Sequence, residues 1–159
     1  MYSLNAPVPP AVARLASGLA ADLLDATVRQ RHTLVVKRLG EGDPSGLSAA
    51  VRRVVAGTDP FPARVTGVDV FEDPLAGESP VAYLEVKSPG LEQLHRRLCE
   101  RFDPVDGIEA DAYAPHVTVA RGGDADRLRG RDLDREWTVN RLLVWSGRYE
   151  EPVETVALP

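Results

Sequence analysis

Apolar positions along this chain follow two rhythms, one of period two and one near period 3.6. Tyr2–Val8 reads as a first strand, stopped by Pro7, Pro9 and Pro10. Val12, Leu15, Leu19 and Leu23 then recur at helical spacing, which predicts a helix from about Pro10 to Leu24 with proline in its first turn. Val28–Leu39 is strand-like, Gly40–Pro44 is a turn, and Leu47, Val51, Val54 and Val55 mark a helix over Ser45–Ala56. Val65–Phe71 and Val81–Val86 alternate as two strands around a hairpin-length loop. Ser88 is placed to cap a third helix reaching Phe102, with Leu91, Leu94, Leu98 and Phe102 as its apolar stripe. An acidic loop, Asp103–Ala112, leads into a strand at Tyr113–Arg121. Gly122–Arg135 has little apolar content and reads as a solvated loop or frayed helical turn. Trp137–Trp145 and Val153–Leu158 close the chain as strands. Roughly seven strands and three helices in mixed order predict one α+β domain over 1–159, its sheets lining a cleft.

Chemistry concentrates in Tyr113-Ala-Pro-His-Val-Thr-Val-Ala-Arg121. Alternation places His116 and Thr118 on one face and Val117 and Val119 on the other. An imidazole moves protons and a neighbouring hydroxyl donates a hydrogen bond, a pairing suited to an oxyanion. A second histidine, His32, precedes a similar run half a chain upstream. Two strand-borne histidines in the two halves suggest a duplicated unit with a shared cleft. The same-face neighbour of His32 is Leu34 rather than a hydroxyl, and Thr33 faces inward only if a β-bulge turns it. Arg38 is in phase with His32, whereas Arg121 is out of phase with His116 and reaches the cleft only if the strand twists or ends. His95, on the third helix, is expected to face solvent. Tyr113 and Tyr149 are candidates for stacking on a base, against the commoner role of packing at strand ends.

The net charge of −5 weakens any broad grip on a polyanion, so a nucleic-acid substrate should be held at a terminus or over a few nucleotides. The basic residues comprise 17 arginines and two lysines, Lys37 and Lys87, a bias that fits a GC-rich source. No apolar run reaches the roughly 20 residues of a membrane span, and the first residues lack a secretory pattern. A cytoplasmic protein without membrane contact is therefore expected. Cys99 is alone, with no partner for an internal disulfide. No spacing suits zinc or calcium, and no glycine-rich loop ends in Lys-Ser/Thr. Neither metal nor cofactor is expected.

Pro115-His-Val-Thr-Val-Ala-Arg121 resembles the second signature of the two-histidine (2H) phosphoesterases, which include RNA 2′,3′-cyclic phosphodiesterases and 2′-5′ RNA ligase-like proteins. The order of elements is similar over nearly the whole chain. At the first signature this sequence departs, with Leu34 where the family carries Thr or Ser and one extra residue between His32 and Leu39-Gly40. The resemblance implies two lobes related by a pseudo-twofold axis, antiparallel sheets facing a central groove, and helices outside. It implies a monomer whose catalytic residues are His32 and His116, with Thr118, Thr33, Arg121 and Arg38 holding phosphate.

In that reading, one neutral imidazole takes a proton from the nucleophile and one imidazolium protonates the leaving oxygen, at 2′,3′-cyclic RNA ends or small cyclic phosphodiesters. Histidine suits both roles because its unperturbed pKa lies near neutrality. Which histidine is acid, and whether hydrolysis or 2′-5′ ligation is favoured, stay open. Two other readings stand beside it. One is a non-catalytic RNA-end or nucleotide binder with a degenerate first motif, and the other is an interaction domain with incidental histidines.

Overall fold

The computed structural model describes residues 1–159. Nine strands and three α-helices follow the order β1 (Tyr2–Pro7), α1 (Pro10–Ala20), β2 (Thr27–Val28), β3 (Thr33–Gly40), α2 (Pro44–Val55), β4 (Phe61–Phe71), β5 (Val81–Lys87), α3 (Pro89–Arg101), β6 (His116–Arg121), β7 (Asp132–Val139), β8 (Arg141–Ser146) and β9 (Glu151–Ala157). Each helix opens on a proline, where the missing N–H costs nothing. The Asp43 carboxylate accepts from the Gly46 amide and the Ser88 hydroxyl from the Leu91 amide, which caps α2 and α3. Helix α1 ends earlier than its apolar spacing predicts, and Leu24 is 88% exposed beyond it.

All strands join one antiparallel sheet, in the order β7-β4-β5-β6-β3-β1-β8-β9, with β2 paired beside β6. The order reads as two four-stranded halves meeting at β6 and β3. One apolar cluster of 33 buried residues spans both halves, and the helices contribute Val12, Ala16, Val51, Leu91 and Leu98 to it. Fully burying a leucine or valine of this cluster is worth about 1.5–3 kcal/mol.

The two halves match in register as well as in order. In β1 and β3, Leu4 pairs with Lys37 and Asn5 with Val35, so Val36 is an extra residue on β3. In β5 and β6, Ala82 pairs with Ala120 and Tyr83 with Thr118, so Val119 is an extra residue on β6. Each bulge leaves two consecutive residues buried, Val36 with Lys37 and Val119 with Ala120. At the seam Leu34 pairs with Val117, and a twofold axis there carries Val35 onto Thr118 and Arg38 onto Arg121.

Four features depart from the sequence reading. The strand expected over Val28–Leu39 is broken: Val28 pairs with Ala120 but Leu34 with Val117, a three-residue change of register absorbed by Arg29–His32. His32 therefore lies in the break and not on a strand. Gly122–Arg135, expected as a solvated loop or frayed helical turn, holds a 3₁₀ turn that buries Ala125 and Leu128, and strand β7 already opens within it at Asp132. The run Trp137–Trp145 is two strands in opposite halves of the sheet, β7 at one edge and β8 between β1 and β9, separated at Asn140.

The fourth departure is His95, which is 1% exposed where solvent contact is expected. Its Nδ1 lies 2.7 Å from the Val36 carbonyl, and its Nε2 accepts from the Ala110 amide at 2.9 Å. That acceptance leaves the ring proton on Nδ1, where it donates to Val36. Tyr113 stacks on the same ring, with centroids 3.9 Å apart, and its hydroxyl donates to the Val35 carbonyl. These bonds place Tyr113 in packing and not in a base-stacking position. Tyr149, by contrast, is 62% exposed.

Candidate functional site

His116 opens β6 and points to the face away from Val117, which is fully buried. Its Nδ1 lies 2.8 Å from the Ala114 carbonyl, so a neutral ring donates its Nδ1 proton there and keeps a lone pair on Nε2. No protein group bonds that Nε2. Phe71 meets the imidazole edge-on at 5.2 Å and Tyr83 at 5.3 Å, while Phe71 and Tyr83 stack on each other at 4.1 Å. The ring is thus fixed by one hydrogen bond and two aromatic walls. Tyr83 has its hydroxyl pushed up to about 12 by burial and by Asp69 and Glu85, so it stays protonated at any ordinary pH.

The antiparallel register that pairs Leu34 with Val117 sets Thr33 opposite Thr118 and Val35 opposite His116. Thr33, Val35, His116 and Thr118 are all half-buried on one face, between fully buried neighbours. Both bulges reverse the alternation one step further along. Arg38 and Arg121 therefore return to that face, which corrects the expected phase of each. Arg121 donates to the Ala76 carbonyl of the β4–β5 loop, and Arg38 lies 3.8 Å from Glu109.

The pairing brings Thr33, Thr118, Arg38, Arg121 and His116 to one surface. His32 immediately precedes Thr33, in the break before β3. Its Nε2 is enclosed without a hydrogen-bond partner, and its pKa is lowered by burial and then by Arg29. Burial also lowers His116, the Ala114 bond pulls it back, and Arg38, Arg121 and Arg29 add to the lowering. Arg29 acts on His32, His116 and Arg121 alike, so these groups share one positive neighbourhood on a protein of negative net charge.

Sequence reasoning passes over Arg29, Asn5, Phe71 and Tyr83. No local pattern marks them, because each reaches the site through pairing with a distant strand or through the break before β3. Symmetry also shows where the halves differ. Thr33 occupies the place in β3 that His116 occupies in β6, and Val35 the place of Thr118. A separate hollow of about 590 Å³ lies among Pro7–Pro10, Trp137–Arg141, Thr155 and Ala157, and none of the residues above lines it. No group of three or more His, Cys, Asp or Glu side chains is arranged to hold a metal ion, and no helix is long and apolar enough to cross a membrane.

Residues 9–149 match the profile of the 2'-5' RNA ligase superfamily. No curated protein sequence matches. Among solved structures, TT0787 of Thermus thermophilus superposes with a TM-score of 0.71 at 21% identity, over 99% of this chain and 97% of that one. A structure described as a phosphoesterase gives 0.66 at 16% identity, over 99% and 97%. E. coli LigT complexed with ATP gives 0.63 at 16% identity, over 99% and 96%, and LigT has also been solved with 3'-AMP and with phosphate. At these identities the likeness is one of fold.

Proposed function

The chain belongs to the 2'-5' RNA ligase superfamily, and we propose that it opens 2′,3′-cyclic phosphate RNA ends or small cyclic phosphodiesters, or runs the reverse 2′-5′ ligation. The observation that carries this reading is the His116 ring. Its Nδ1 proton is committed to Ala114, so its Nε2 lone pair is the one available for proton transfer, beside Thr118 and among three arginines. The nucleotide and phosphate complexes of LigT support a small nucleotide as ligand.

In the hydrolytic direction, water attacks phosphorus in line while one imidazole removes its proton. The bond from phosphorus to one ribose oxygen breaks, and the other imidazole protonates that oxygen as it leaves. His116 and His32 fill the two roles, and each transfer is worth about 10²–10⁴-fold. Thr118 and Thr33 donate to the non-bridging oxygens, and Arg38, Arg121 and Arg29 stabilise the spreading negative charge. Two histidines account for both protons, so turnover should persist in excess chelator.

A second reading is favoured by one specific observation. The twofold-related places of His116 and Thr118 hold Thr33 and Val35, with His32 one residue outside. A first half so displaced fits a protein that binds an RNA end without cleaving it. Turnover of a 2′,3′-cyclic nucleotide separates the two. Cleavage that falls about 10²–10⁴-fold in both His116→Ala and His32→Ala supports the enzyme. Saturable binding with no turnover by the wild type selects the binder, and undiminished cleavage in both variants removes the proposal.

A further inference from the structure

Strand β1 carries one buried side chain that the core does not explain. Asn5 is 1% exposed, between Leu4 and Ala6, both fully buried. Burying an amide without compensating hydrogen bonds costs on the order of 2–7 kcal/mol. Asn5 has two such bonds. Ser3 Oγ donates to its Oδ1 at 2.7 Å, and its Nδ2 donates to Thr33 Oγ1 at 3.0 Å. The twofold-related strand has Tyr83 at this place, so the fold itself does not demand an amide there.

A hydroxyl has one proton and two acceptor positions. With an Asn5 N–H already pointing at Thr33 Oγ1, the Thr33 proton turns away from Asn5. No protein acceptor receives it. Thr33 lies on the His116 face, directly opposite Thr118, and Cβ atoms of such cross-strand pairs sit about 4.5–5.5 Å apart. That separation suits two donors reaching different oxygens of one tetrahedral anion.

We infer that Asn5, steadied by Ser3, is a positioning residue that aims the Thr33 hydroxyl proton at a phosphate oxygen held against His116. The inference rests on the reading of this groove as a phosphate site. It gives the first half of the molecule a hydroxyl donor in the place where the second half presents an imidazole.

Inorganic phosphate titrated into the full chain, followed by the His116 ring resonances, tests this directly. Thr33→Val should weaken phosphate by roughly 10- to 100-fold, since a hydrogen bond to a charged group is lost. Asn5→Ala should weaken it by roughly 3- to 10-fold, because the donor loses its aim. Asn5→Asp should be worse than Asn5→Ala, because its carboxylate takes the Thr33 proton and adds a negative charge. Thr33→Ser should bind like the wild type, and Asn5→Ala placed on Thr33→Val should cause no further loss. Should Asn5→Ala fail to fold, Ser3→Ala is read in its place, with the same lack of effect on the Thr33→Val background.

Wild-type affinity in the Asn5 variants, an equal loss with and without Thr33, or no phosphate binding by the wild type overturns the inference. The phosphoesterase reading is judged separately. Loss of turnover in His116→Ala alongside unchanged phosphate affinity in the Asn5 variants leaves the enzyme and removes the role of Asn5. The expected order of affinities in a protein without turnover does the reverse.

Discussion

Thr33 faces Thr118 across the central strand pair, and the same axis that relates the two halves superimposes Thr33 on His116. This face is therefore symmetric in backbone and asymmetric in chemistry. One side offers imidazole then hydroxyl, and the other offers hydroxyl then a methyl-bearing valine.

Val35→Thr should restore the missing hydroxyl at the place related to Thr118. The two side chains are nearly equal in size, so the cost to the fold is small on this half-buried face. Phosphate affinity should rise by roughly 3- to 10-fold, within the value of one hydrogen bond to a charged acceptor. Isothermal titration against inorganic phosphate reads it, and weaker binding would show that position 35 does not look onto the anion.

The pH dependence follows from the direction in which both site histidines are shifted. His32 and His116 lie below the ordinary 6.5, each chiefly through burial. The productive state of the unliganded enzyme needs one ring neutral and one protonated. Its population peaks between the two values, so kcat/KM should be bell-shaped with its maximum below pH 6.5. Steady-state rates on a cyclic nucleotide from pH 4 to 9 check this (the interval spans the ordinary range of imidazole titration). A maximum well on the alkaline side of neutrality would contradict it.

Phe71 meets the His116 ring in a T-shaped contact, 5.2 Å between centroids. Replacing it with alanine removes one wall and leaves the Ala114 hydrogen bond in place. An edge-to-face aromatic contact is worth about 0.5–1.5 kcal/mol, so kcat should fall by roughly 2- to 10-fold. KM should change little, and separate determination of the two constants distinguishes this from damage to binding.

Behind β3, Lys37 and Glu109 form an ion pair at 2.6 Å with side chains 0% and 1% exposed. Burial alone pushes Glu109 up. The Lys37 ammonium and the Arg38 and Val105 amides outweigh that and hold the carboxyl below its usual range. Lys37→Met leaves a buried charge without its partner and should cost about 3–5 kcal/mol. Lys37→Met with Glu109→Gln should recover part of it. A depressed carboxylate stabilises the fold above its unfolded value and loses that contribution as pH falls through the folded one. Urea unfolding of wild type should therefore show stability declining below about pH 4.5.

The sequence discloses what depends on neighbours in the chain. Capping by Ser88, proline in the first turn of α1, and the alternation that sets His116 with Thr118 are local, and the structure keeps all of them. Arg38 and Arg121 return to the His116 face through bulges at Val36 and Val119, which exist only relative to β1 and β5. The break that holds His32 is equally non-local, since it is fixed by the two registers of β6 on either side. His95 is different. It sits at helical spacing with Leu91, Leu94 and Leu98, a stripe that already turns position 95 toward the core, and its polarity hides a legible signal.

The short stretch Arg29–His32 works as a vernier. Strand anchors hold it at both ends, through Val28 and through Leu34, and the Arg29 amide adds one bond to the Val119 carbonyl. Lengthening or trimming it should shift His32 relative to Thr33 and His116 without altering the pairing of β3 with β1. On the two-histidine reading, the number of residues in this connector sets where His32 stands relative to His116.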